Sequence, residues 1–331
     1  MVLDSIDSQH KKEFRIPLPL EVEEFRRGQL YSVAEASKNE TGGGEGAEFV
    51  KQYDFFDDPS ILPGKTLSGT YTYKIYRLKS KAPWVLQKIF PSEAFEIHEE
   101  SWNAYPYCKT LLTVNLLCVV YNFLARFAYV TSRPLQNPGY MGSNFSLIIE
   151  SIHLPDYGCS DNPLNAPEKR EIIYLDICDD IILGKCQYNP DTDPKLFISE
   201  RTGRGRLKPD WMYSTTPVRC YKQIICIHEK RLKTEISENC SFMTIMCCYK
   251  LVTVHFKWTG LSGFVEKTIQ KQYSKIFTRF HRDAFCWIDY WIDLNEDELR
   301  EFEEKIAVQL LKQLAEPEKR GATLDDRPII D

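Results

Sequence analysis

The stretch YKLVTVHFKWTGLSGFVEKTIQKQYSKIFTRFHRDAFCWIDYWIDL, residues 249–294, changes its apolar period part-way along, and that change decides the fold class. Over 250–258 the apolar residues alternate, so Val252, Val254, Phe256 and Trp258 point to one side of a strand, with Lys250 at its start. From 264 the period lengthens. Val265, Ile269, Tyr273, Ile276, Phe280, Ala284, Trp287 and Trp291 fall within an arc of about 100° on a helical projection, which predicts a long amphipathic helix. Asn295 followed by Glu298 has the spacing of a capping box and opens a second helix with apolar positions Leu299, Phe302, Ile306 and Leu310.

Working back from this stretch, strand patterns occur at 71–80, 107–113, 145–152 and 172–178. The GGGEG run at 42–46 and the PSILPG region at 59–64 punctuate an early part that reads as loop-rich. Strands first and long helices last predict an α+β protein, with helices laid across one face of a curved antiparallel sheet. Residues 1–315 are expected to form the folded unit and 316–331 a polar tail.

Composition narrows the function classes. Lys+Arg 42 against Asp+Glu 47 gives a net charge of −5, so no general electrostatic reason exists for binding nucleic acid. The start, MVLDSIDSQHKKEFR, carries charges where a signal peptide needs an apolar run, which predicts a cytoplasmic protein. Its 11 cysteines are then expected to be reduced thiols, and none has convincing zinc spacing. Residues 111–130 approach the length of a membrane span, but Asn115, Asn122 and Arg126 inside it argue against one. Patterns for a serine hydrolase, a dinucleotide fold, a phosphate loop or a zinc protease are missing, so neither a metal nor a cofactor is expected. A Cys108 nucleophile near His98 is disfavoured, because a cysteine among apolar neighbours is ordinarily an inert thiol.

Strand parity groups polar residues with apolar ones. Ser151 shares a side with Leu147 and Ile149; Thr72 and Lys74 share one with Tyr76; Cys108 and Thr110 share one with Leu112. A cavity with an apolar body and a polar end would produce this pattern. Strand ends that meet water would produce it too, and parity leaves both open. In EESWNAYPYC (99–108), Glu99 and Asn103 would share a face of a helical turn; alternatively Asn103 caps a turn before Pro106.

The strings GQLYSVAEASKNETGGGEGAE (28–48), YTYKIY (71–76), IHEESWNAYPYCKT (97–110), TGRG (202–205), YKLVTVHFKWTGL (249–261) and FTRFHRDAFCWIDYWIDL (277–294) together resemble the phosphatidylinositol transfer proteins, closest to the small single-domain class. The resemblance implies a START-like, helix-grip fold. In it a curved sheet and long helices enclose one phosphatidylinositol or phosphatidylcholine as cargo, in a monomer that transiently contacts membranes and is not an enzyme. It implies inositol contacts from Thr72, Lys74, Glu99 and Asn103, and phosphate contacts from Gln29, Thr110, Ser151 and Lys250, with Ser151 standing for a threonine. It further implies that Cys108 and Phe280 line the cavity, that Glu303 belongs to the closing helix, and that Ser199 is a phosphorylation site. Presentation of phosphatidylinositol to lipid kinases is the alternative role. Two departures stand out. Thr259 follows Trp258 where relatives carry a second docking tryptophan, which predicts weaker membrane docking. Blocks at about 114–136 and 212–237 have no family counterpart; the first reads as a membrane-contacting addition, or else both read as sequence foreign to the protein.

Overall fold

The computed structural model describes residues 10–81, 87–88, 92–114, 145–184, 188–208, 210–212, 244–256 and 262–316. Its frame is an eight-stranded sheet built from β1 (His10–Leu18), β2 (Gly46–Leu62), β3 (Lys65–Arg77), β4 (Glu96–Ala104), β5 (Tyr107–Val114), β6 (Phe145–Leu154), β7 (Glu171–Tyr174) and β8 (Met246–Phe256). Strands β2 to β6 follow one another as an antiparallel meander, after which the order runs β6-β8-β1-β7. The all-antiparallel expectation needs one correction. β1 and β7 pair in parallel, Phe14 opposite Ile173, so the sheet is mixed. A parallel pair requires a long return path, and here five strands and a helix intervene in sequence.

Among the described residues the sheet is accompanied by the helices α1 (Val22–Asn39), α2 (Ser262–Cys286), the short α3 (Ile288–Trp291) and α4 (Glu296–Ala315). The capping box opens α4 as expected: Asn295 accepts from the Glu298 amide and Glu298 accepts from the Asn295 amide. Leu299, Ile306 and Leu310 are buried beneath it. In α2, Phe277 takes the inward place and Ile276 is 52% exposed, against the expectation. Positions 273, 277, 280 and 284 step by four, three and four residues, which leaves 276 outside the stripe. The helical run also breaks at Trp287 before α3 resumes it.

The early part of the chain departs most from its reading. Between two correctly placed turns, where Gly43, Gly44, Gly46 and Gly64 have positive φ, lies the 17-residue strand β2. α1 precedes it, a helix that apolar periodicity does not reveal. Its inward face carries Phe25, Gly28 and Ser32, too small and polar a set to stand out as a stripe. Gly28 is required by a close approach: a Cβ there would lie 2.9 Å from the Trp291 ring. The strand expected over 172–178 stops at Tyr174.

The sheet has two packed faces. On the front, Phe14, Ile16, Leu147, Val252 and Val254 form a core with Phe277, Phe285 and Trp291 from α2 and α3. On the back, Tyr107, Tyr249 and Leu251 pack with Leu164 and Ala166 of the connection after β6. α4 closes against α1 and β2 through Ile306, Leu310, Ala34 and Ala47.

Candidate functional site

Residues directly opposite on neighbouring strands share a face, so the register lays out the front of the sheet row by row. One row reads Asn103, Cys108, Ser151, Lys250, Phe14 across β4, β5, β6, β8 and β1. The next reads Thr72, Ser101, Thr110, Ile149, Val252 across β3, β4, β5, β6 and β8. The third reads Lys74, Glu99, Leu112, Leu147, Val254 across the same five strands. All eight sheet residues singled out by sequence lie on this face. The polar ones form a continuous band beside a continuous apolar field, so they are not scattered strand ends. From β3 to β8 the band crosses four strand spacings, about 19 Å.

At one end of the band, Lys250 is 8% exposed and donates to Ser151 Oγ at 3.3 Å, with its ammonium 5.3 Å from the centre of the Phe277 ring. Among the described residues no carboxylate lies within ion-pair distance of it, and burial lowers its pKa. A buried, uncompensated cation is costly and is a ready partner for an anion. Cys108 donates its thiol to Asn103 Oδ1 at 3.0 Å and receives Gln29 Nε2 of α1 at 3.7 Å. Burial pushes its pKa up to about 11, so the thiolate needed for nucleophilic attack is suppressed. Gln29 Oε1 finds no hydrogen-bond partner among the described residues.

Two histidines complete this end. His281 on α2 sets Nδ1 at 2.7 Å from the Phe277 carbonyl, and His153 sets Nδ1 at 3.1 Å from the Pro106 carbonyl. A carbonyl only accepts, so both rings carry their proton on Nδ1 and present a bare Nε2. Neither Nε2 has a hydrogen-bond partner among the described residues. Burial, followed by Lys250, holds His281 down to about 3 and His153 well below its ordinary value.

At the other end, Lys74 is 4% exposed, lies over the Phe49 ring at 4.4 Å and stands 3.9 Å from Glu99 Oε1. Tyr76 donates to Glu99 Oε2 at 3.1 Å. Glu303 of α4 has its pKa raised by burial and drawn back by the charge of Lys74. Thr110 pairs its hydroxyl with Ser101 at 3.1 Å in the middle of the band.

The family model for phosphatidylinositol transfer protein matches residues 9–308. The chain belongs to the phosphatidylinositol transfer protein family. It is 40% identical to the phosphatidylinositol transfer protein beta isoform of Bos taurus over 95% of this chain and 98% of that one. The human beta isoform is likewise 40% identical, over 94% and 95%. Phosphatidylinositol transfer protein 5 of Dictyostelium discoideum is 38% identical, over 89% and 83%.

Against the family reading, Gln29 reaches the band from α1, Phe280 packs on the front core and meets His281 edge-on, and Glu303 comes from α4. Asn103, assigned to the inositol set, stands in the Ser151–Lys250 row. Ser199 lies apart from the band. It is 2% exposed, its hydroxyl donates to Asp289, and it accepts from the Thr202 amide at 2.9 Å. A kinase would reach it only after this loop opened. Trp258 and Thr259 fall outside the described residues, as does nearly all of both extra blocks; β5 and β6, which flank the first, pair directly.

Sequence reading missed Ser101, Tyr76, Phe277, His153 and His281 at the site. Segment 99–103 belongs to strand β4 and not to a helical turn. In a helix Ser101 would point away from Glu99, whereas in a strand it stands between Glu99 and Asn103 on their own side. Strand parity applied there was the available signal. The histidines carried none, because their role rests on a carbonyl distant in sequence, Pro106, or on one within the helix itself, Phe277.

Proposed function

We propose that this chain carries one phosphatidylinositol or phosphatidylcholine molecule between the front of the sheet and its covering helices, and exchanges it between membranes. The observation that carries the reading is the division of one buried face into a polar band, ending in an uncompensated lysine, and an apolar field. An amphiphile with an anionic phosphodiester needs that pairing. Lys250, Ser151, Gln29 and Thr110 suit the phosphate. Glu99, Lys74, Thr72 and Asn103 suit ring hydroxyls that choline lacks.

Two acyl chains bring on the order of thirty methylenes, worth roughly 25 kcal/mol against bare water at about 0.8 kcal/mol each. Release into water is therefore negligible, and exchange belongs at a bilayer, where the chains pass from one apolar medium to another. α4, seated on β2 through Ile306 and Leu310, is suited to move as the gate. Among the described residues no helix is long and apolar enough to cross a membrane. The suppressed Cys108 thiol supports a carrier over a cysteine-dependent hydrolase. The relatives are named for transfer, which favours carrying over presentation to a lipid kinase.

The test is native mass spectrometry after incubation with mixed vesicles. One phospholipid per chain is expected, and Lys74→Ala should lower inositol lipid by roughly tenfold while sparing choline lipid. Equal loss of both lipids would remove the headgroup assignment.

A further inference from the structure

The headgroup end of the band is tied to the helix that covers it through one side chain. Tyr76 follows Lys74 on the same face of β3 and packs against the cluster of Ala34, Ala47, Ile306 and Leu310 by which α4 rests on α1 and β2. Its hydroxyl leaves that apolar cluster and donates to Glu99 Oε2 at 3.1 Å. Lys74 stands 3.9 Å from the other oxygen, Oε1, beyond hydrogen-bond reach. Among the described residues Tyr76 is thus the hydrogen-bond donor to the Glu99 side chain, which keeps Oε1 available to a hydroxyl. Tyr273 of α2 also faces Glu99, and its own pKa rises through burial and that carboxylate.

We infer that Tyr76 is a positioning residue that lets the seating of α4 set the aim of Glu99, so that recognition of a polyol headgroup is complete only when the covering helix is down. The inference rests on the lipid-carrier reading above. When α4 lifts, Ile306 and Leu310 leave the cluster that holds the ring, and the hydroxyl no longer fixes the carboxylate. A polyol headgroup is released with the lid, while a headgroup without hydroxyls makes no use of Glu99 and is indifferent to Tyr76. A site built to accept from a hydroxyl discriminates strongly, but only while its acceptor is held in place.

Tyr76→Phe keeps the ring and removes the donor. The full chain is incubated with vesicles of phosphatidylinositol and phosphatidylcholine in equal amounts, and bound lipid is read by native mass spectrometry. The inositol-to-choline ratio should fall roughly tenfold, the scale of one hydrogen bond to a charged group, with total occupancy unchanged. Ile306→Ala, which loosens the ring and leaves its hydroxyl, should shift the ratio the same way by less, and it decides the matter if Tyr76→Phe does not fold. A wild-type ratio in Tyr76→Phe, alongside a shifted ratio in Glu99→Gln, would overturn the positioning role and leave the carrier reading intact. Equal loss of both lipids in Tyr76→Phe would also overturn it, as a merely structural effect. A wild-type chain that takes up no phospholipid would remove the carrier reading itself.

Discussion

The back of the sheet and the Lys250 end of its front each bury charge, and they treat it in opposite ways. On the back, Arg15 donates to Glu13 at 2.7 Å and to the Gly158 carbonyl at 2.6 Å, Arg170 closes on the other Glu13 oxygen, and the guanidinium of Arg15 lies 5.2 Å from the Tyr249 ring centre. Tyr249 in turn donates to Asp156 at 2.6 Å and accepts from the Ser160 amide at 2.9 Å. On the front, among the described residues, Lys250 has a hydroxyl and an aromatic ring in place of a carboxylate, and Gln29, His153 and His281 each keep a buried atom without a hydrogen-bond partner. Buried polar groups in folded proteins are nearly always satisfied. A complete network therefore marks structure, and an incomplete one marks a place built for something else.

The sharpest way to break this contrast is to remove one cation from each face. Arg15→Leu strands a buried carboxylate beside Arg170 alone and should cost about 3 to 5 kcal/mol in urea unfolding, with no change in headgroup preference. Lys250→Met removes a cation that already lacks a carboxylate. Lipid-free stability should hold or rise, while phospholipid retention falls. Equal destabilisation by the two substitutions would end the distinction.

Acid provides a second probe, of intermediate size. His281 has a folded-state pKa of about 3 against 6.5, so below pH 6.5 the unfolded chain takes up a proton that the folded chain refuses. Stability from this group is complete above pH 6.5 and drains away as pH falls towards 3. At pH 5 the loss is about 2 kcal/mol, and His153 adds to it in the same direction. The unfolding free energy of His281→Gln should fall between pH 7 and pH 5 by about that much less than wild type.

The smallest effect concerns single hydroxyls. Ser101→Ala loses one hydroxyl pair at 3.1 Å and should cost about 0.5 to 1 kcal/mol. Tyr249→Phe leaves Asp156 short of a donor on the paired face and should cost about 1 to 3 kcal/mol. Thermal melts of the two variants would order them, and a larger cost for Ser101→Ala would blur the contrast.

The strand-to-helix change at 250–291, the capping box at Asn295 and Glu298, and the parity of Lys250, Ser151, Thr72, Lys74, Cys108 and Thr110 were legible in the sequence, because each depends on spacing along one element. Those patterns, with the family strings, sufficed for an α+β lipid-binding fold. What spacing could not supply was register. Only pairing across five strands shows that the polar residues form one band beside one apolar field, that Asn103 stands with Lys250, and that Tyr76 joins α4 to Glu99. Tertiary contacts also decided the parallel β1–β7 pair, α1 with its small inward face, and the bare Nε2 atoms of His153 and His281. These features depend on groups brought together from far apart in the chain, and a periodicity read along a single element carries no information about what lies across from it.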